Sequence, residues 1–280
     1  MARRNYSRTR ALEEKWRAQG RGQGERLQYR PWLTVQDVPS DGWTIQPPGW
    51  LVDRDYALLS KWEYYYFLTL EWAAMTHHTI WDIREQFPLP WVDDTVQLAE
   101  KLGIAHPVDR TSGEPLTLTT DFMITLTAGS GARRLVARTV KESADLHDIR
   151  TLEKLEIERQ YYQEREIDWG PVTEQQMSLT LAQNVEFIHD AREYSIDSLP
   201  RAQAPMVAEA VGRALRGASE GLATTCLSQD RRLGLEPGTS LALVRHQIAN
   251  GWWVVDMHTP LDLGAPLTFR QSSTAADQGA

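Results

Sequence analysis

The chain has 280 residues, 41% of them hydrophobic and 24% charged, with a net charge of −8 at pH 7. That length accommodates a full core and two domains, and the negative balance excludes a surface coated for nonspecific DNA binding. A lone cysteine, Cys226, excludes an intrachain disulfide or a thiolate zinc site, and no apolar run approaches the roughly 18 residues of a membrane span, so a cytoplasmic protein without membrane contact is expected.

Residues 1–30 carry nine Lys or Arg against three acids, a local +6 on a remainder of −14. With Gly20-Arg-Gly-Gln-Gly24 they read as a basic flexible arm, suited to nucleic-acid contact or to solubility alone. Residues 31–173 read as an α/β domain. Pro31–Pro39 suggests a short strand ending at a turn, and Pro47-Pro-Gly49 another turn. Ser60-Lys-Trp-Glu63 opens a helix through Tyr64, Phe67, Leu68 and Trp72. Ser60 and Glu63 match a capping box, in which the Glu returns to the cap's backbone N–H. Glu71 lies on the same helix as an alternative acid. Ile80–Pro88 reads as a strand, although Ile80, Ile83 and Phe87 do not alternate cleanly, and Pro88 and Pro90 end it. Residues 94–103 read as a short helix closing at Gly103.

Leu116–Thr127 alternates apolar and polar residues as a half-buried strand does. Ala128-Gly-Ser-Gly-Ala132 is turn chemistry, and Leu135–Lys141 is the returning strand. Ser130 lies nine residues from both Asp121 and Thr139, so a symmetric hairpin sets those two side by side, with side chains roughly 5 Å apart. Lys141 shares the face of Thr139 by the two-residue period. An acid, a lysine and a neighbouring carbonyl form the skeleton of a divalent-metal nuclease site, in which the oxygens hold magnesium and the lysine steadies water or phosphate. A solvated Asp–Lys pair is the plain alternative.

A helix is expected from Thr151 to Gln163, with Leu152, Leu155, Arg159 and Tyr162 along one side. Glu158 falls on that inward stripe, as a paired acid or a ligand. Ile167–Thr173 reads as the last strand of the domain. Residues 174–270 read as mainly helical (Glu174–His189, Pro205–Ala218, Ser219–Gln229 and Pro237–Gly251) and end in a strand over Trp252–Met257. Helices followed by a short β-wing suggest a winged-helix-like domain. Trp252 and Trp253 are core residues or a contact for DNA or protein. Residues 271–280 read as a disordered tail. No phosphate-binding glycine loop follows a strand, and the histidines show no metal-ligand spacing.

Several runs together resemble one family: Gly20-Arg-Gly-Gln-Gly24, Tyr29–Ser40, Leu70-Glu-Trp72, Asp82-Ile-Arg-Glu-Gln-Phe-Pro-Leu89, Thr120-Asp-Phe122, Val140-Lys141 and Arg150–Arg159. They are similar to the TnsA family, the endonuclease subunits of Tn7-like heteromeric cut-and-paste transposases. The resemblance implies a restriction-endonuclease-like N-terminal domain with a mixed central sheet and a winged-helix-like, partner-binding C-terminal domain. It implies Mg2+-dependent hydrolysis of one DNA strand at the 5′ ends of the transposon, while a TnsB-like transposase cuts and joins the 3′ ends and a TnsC-like AAA+ regulator binds mainly the C-terminal region. By position, Glu63 and Asp121 match the metal-binding carboxylates, Lys141 the active-site lysine, and Glu158 a further nearby acid. At 139 the family carries Gln and this chain Thr. The Thr139 carbonyl remains the expected third metal ligand, and the lost side chain keeps open an alternative, a weak or inactive adaptor between transposase and regulator.

Overall fold

The computed structural model describes residues 7–37, 43–89, 92–129 and 131–272, in two compact units that divide at Met177/Ser178. The first unit is α/β. Helix α1 (Arg10–Ala18) precedes α2 (Lys61–His77), which starts where the Ser60 hydroxyl accepts from Glu63 N–H at 3.1 Å and stops at His78, whose φ of 55° is left-handed. α2 buries Tyr65 and Leu70 as well as the stripe of Tyr64, Phe67, Leu68, Glu71 and Ala74, so its buried face is broad. Strand β1 (Ile80–Pro88) follows, then α3 (Val92–Leu102), β2 (Thr119–Thr127), β3 (Arg133–Val140), α4 (Ile149–Gln163) and β4 (Asp168–Val172).

The sheet order is β1-β2-β3-β4, antiparallel at its first two junctions and parallel between β3 and β4, with α4 as the crossover. It is the mixed sheet expected of a restriction-endonuclease-like domain. Leu98 and Ala99 of α3, Met123 and Ala137 of the sheet, and Ile157, Tyr161 and Tyr162 of α4 close into one core cluster. The β2/β3 register pairs Phe122 with Arg138 and Thr125 with Leu135; continued by one residue it sets Asp121 opposite Thr139. Ser130, at the tip of the counted turn, lies outside the described residues.

Residues 7–30 are not a flexible arm. Thr9 caps α1, Trp16 of that helix is buried edge-on against Trp32 at 5.7 Å, and the buried Glu13 carboxylate accepts from both the N–H and hydroxyl of Thr117. The glycines that read as flexibility serve close approach instead. A Cβ on Gly22, whose φ is 72°, would stand 2.3 Å from Pro88 Cγ. Nor do residues 31–37 form a strand, since Asp37 draws the Thr34 N–H and hydroxyl into a local turn. On α4 the expected stripe is also adjusted: Leu152 and Arg159 are exposed, and Leu155, Ile157, Glu158, Tyr161 and Tyr162 face inward.

The second unit contains α5 (Leu179–His189), α6 (Ala204–Arg216), α7 (Leu222–Leu233) and α8 (Thr239–Ala249), and a ribbon of β5 (Trp253–Val254) with β6 (Arg270–Gln271). The buried Asp230 carboxylate accepts from Gly238 and Ser240 N–H at 2.7 and 2.8 Å, fixing the turn that starts α8. Trp253 is buried and stacks on Phe269 at 4.2 Å, so it is core. The expected strand shrinks to two residues, so the unit is mainly helical with a short two-stranded ribbon where a wing was expected. Residues 273–280, which include most of the expected tail, lie outside the described residues. No helix among the described residues is long and apolar enough to cross a membrane.

Candidate active site

β2, β3, the N-terminal turn of α2 and the inner face of α4 converge at the end of β3. Asp121 leads into the paired stretch of β2, and its Oδ2 accepts from Val140 N–H at 2.7 Å and lies 3.4 Å from Lys141 Nζ. Lys141 Nζ also donates to the Val140 carbonyl at 2.9 Å. Within a strand the N–H and C=O of one residue point to the same side. Val140 therefore turns both groups toward Asp121, and its neighbours turn theirs toward β4, where Lys141 N–H donates to Val172 at 3.0 Å. The carbonyl that Lys141 Nζ meets is therefore that of Val140, and the Thr139 carbonyl, the one expected as a ligand, lies on the β4 side.

Glu63 sits in the first turn of α2, where its Oε2 accepts from Leu59 N–H and from Gln86 Nε2, both at 3.0 Å. Only half of the expected capping box forms, since Glu63 returns to the N–H of Leu59, one residue before the Ser60 cap, and its carboxylate also meets the field of Asp121. Burial first, and then the Asp121 charge, push the Glu63 carboxyl up to about 8. The same Asp121 charge raises Lys141, with Glu158 and Glu63 adding to it. Glu71, the alternative acid, is taken up by the N–H groups of Trp50 and Leu51.

Thr139 and Glu158 meet. The Thr139 hydroxyl donates to Glu158 Oε1 at 2.5 Å, and the Thr120 hydroxyl makes a short bond to the same oxygen. Burial pushes Glu158 up to about 7, against the pull of these two hydroxyls, and the Asp121 charge adds to the rise. The Thr139 side chain therefore points into a buried acid.

Three carboxylates facing one lysine leave an excess of acidic groups, and burial, with the Asp121 charge adding to it, raises both Glu63 and Glu158. That donor set fits a hard cation. Mg2+ is ordinarily held by one or two carboxylates, with water and substrate phosphate completing the shell. Glu63, Asp121 and the Val140 carbonyl supply that much, and no cluster of three or more metal-holding His, Cys, Asp or Glu side chains occurs among the described residues.

Sequence reasoning missed Gln86, Val140 and Thr120. The signal for Gln86 was the broken alternation of β1: its φ is 47°, a left-handed residue inside a strand.

Residues 77–174 match a family model described as TnsA-like endonuclease N terminal, and residues 176–257 one described as TnsA endonuclease C terminal. The chain is 37% identical over 234 residues to the transposon Tn7 transposition protein TnsA of Escherichia coli, an alignment covering 84% of this chain and 81% of that protein.

Proposed function

We propose, since this chain belongs to the TnsA family of transposase endonuclease subunits, that it hydrolyses one DNA strand at the 5′ ends of a transposon in a Mg2+-dependent reaction. In this reading a TnsB-like transposase cuts and joins the 3′ ends, and a TnsC-like AAA+ regulator engages the C-terminal unit. The observation that supports it is the Asp121–Val140–Lys141 cluster facing the ionisable Glu63.

Glu63, Asp121 and the Val140 carbonyl would hold the metal, which supplies Lewis acidity toward the scissile phosphate and an activated water. Val140 N–H fixes the Asp121 carboxylate at 2.7 Å, so its rotamer is set before substrate arrives. Lys141 is raised by its carboxylate neighbours and stays a cation throughout the working pH range. It orients the attacking water and offsets charge developing on the phosphoryl oxygens. Glu158 sits one layer behind, and with Thr120 and Thr139 it fixes the end of the hairpin against α4. The products are a 3′-hydroxyl and a 5′-phosphate.

The adaptor reading draws on one observation, the engagement of Thr139 by Glu158. Strand cleavage of a transposon-end duplex, with and without the partner transposase, separates the two. Mg2+-dependent 5′-end cleavage by wild type with partner, absent in Asp121→Ala, is the expected result. Intact 5′ ends in every mixture, with association preserved, would favour the adaptor.

A further inference from the structure

The strained backbone of β1 has a use. Gln86 is 2% exposed and left-handed, a conformation that costs a non-glycine residue free energy and persists only where its surroundings over-determine it. Those surroundings are on both sides. The Gln86 carbonyl accepts from Trp32 N–H at 3.2 Å and the Glu85 carbonyl from the Tyr29 hydroxyl at 2.9 Å. Arg54 grips the Glu85 carboxylate at 2.9 and 2.6 Å, and Pro88 packs against the bare Cα of Gly22. The pairs Glu85–Phe122 and Phe87–Thr120 bracket Gln86 opposite Asp121, while its amide donates to Glu63. Gln86 therefore stands between the two carboxylates of the site.

We propose that Gln86 is the positioning residue of the metal site: its clamped, left-handed backbone aims an uncharged amide at Glu63 and holds that carboxylate toward Asp121. The proposal rests on the nuclease reading of the same site. An amide suits the task because it donates to a carboxylate without adding charge beside Asp121. Residues 22–32 act through it, which gives the glycine run, Tyr29–Trp32 and Asp82–Leu89 one shared physical purpose.

Two variants of the full chain test this. Gln86→Asn keeps a residue type that tolerates the left-handed region but retracts the amide by one methylene. Gln86→Gly removes the amide and relieves the backbone. Mn2+ binding is read by calorimetry, and the Mg2+ dependence of transposon-end cleavage is read with the partner present. Both variants are expected to melt at or near the wild-type temperature and to lose about 10-fold or more in metal affinity, the usual cost of removing a group that orients a metal ligand. The rate at saturating Mg2+ falls far less. A merely structural role predicts that Gly, which relaxes the backbone, leaves metal affinity intact. Wild-type affinity in both folded variants would overturn the positioning role and leave the nuclease reading standing. A wild-type chain that binds no Mn2+ and cuts no DNA would overturn the nuclease reading and the positioning role with it.

Discussion

Replacing Glu63 with Gln should make the metal-free protein more resistant to alkaline conditions, and the site's geometry sets the size of the effect. Glu63 has an ordinary value of 4.5 and is pushed to about 8 by burial and then by Asp121. A carboxyl raised on folding contributes stability that is fully present below 4.5 and is lost as pH rises toward about 8. Between pH 5.5 and pH 8 the folded chain holds a proton that the unfolded chain has released, at about 1.4 kcal/mol per pH unit. The loss attributable to Glu63 over that window is on the order of 3 kcal/mol. For a unit of this size, that is roughly 6–12 °C in melting temperature. Thermal melts in chelator at pH 5.5, 7 and 8.5, taken on wild type and Glu63→Gln, give the effect as a difference in which other titrations cancel. The variant should gain on wild type steadily toward high pH. Added Mg2+ should raise the wild type at pH 8.5, where Glu63 is ionised, and leave the variant much less affected. Parallel pH curves for the two proteins, or a wild type that gains on the variant with pH, would refute the assignment of Glu63 to a crowded anionic site.

Other substitutions probe the frame around that site. Arg54→Met leaves Glu85 charged and buried without its cation, with the Ala57 N–H still donating to it, and removes the donor to the Ile83 carbonyl; denaturant melts should show a loss of about 3–5 kcal/mol. Gly22→Ala places a methyl 2.3 Å from Pro88 Cγ on a left-handed backbone, so it should destabilise the first unit by more than about 1 kcal/mol and speed proteolysis near residue 22. In the second unit, Asp230→Ala strips two N–H groups at the start of α8 of their acceptor. It should cost about 2–4 kcal/mol, measured on the full chain by hydrogen exchange at residues 238–242. Cleavage in the absence of the regulator should be nearly unchanged by it.

The hairpin was legible because its rule is local. Strands have a two-residue period, so nine residues on each side of position 130 yield the same register as the observed pairing of Phe122 with Arg138. The inward place of Glu158 was readable for a like reason, since helical spacing carries it, although Leu152 and Arg159 show that the stripe was centred a little off. The carbonyl beside the lysine needed one fact more. Strand geometry alternates backbone groups from side to side, and it selects Val140 over Thr139 only once Val140 N–H is seen to donate to Asp121. What the sequence could not display were features made by distant partners. The left-handed turn at Gln86 is imposed by Trp32, Tyr29, Arg54 and Gly22, each far from it along the chain. A glycine-rich, arginine-rich opening has the composition of a tail, and only its contacts with Asp109, Thr117, Asp82 and Pro88 show it to be a fitted part. The Thr139 hydroxyl is likewise committed by a residue on another element.

The course of residues 22–32 also bears on how the protein behaves in solution. β1 is a border strand, and a border strand with bare N–H and C=O groups is a template on which a foreign strand can grow. Here Arg26, Tyr29 and Trp32 donate to the carbonyls of Trp81, Glu85 and Gln86 in turn. The opposite border, β4, is five residues long and carries Pro171, which has no N–H to offer. Both borders thereby offer fewer open groups to a foreign strand. A chain shortened to begin after residue 32 would lose that protection on the β1 side, and self-association should accompany whatever catalytic defect it shows.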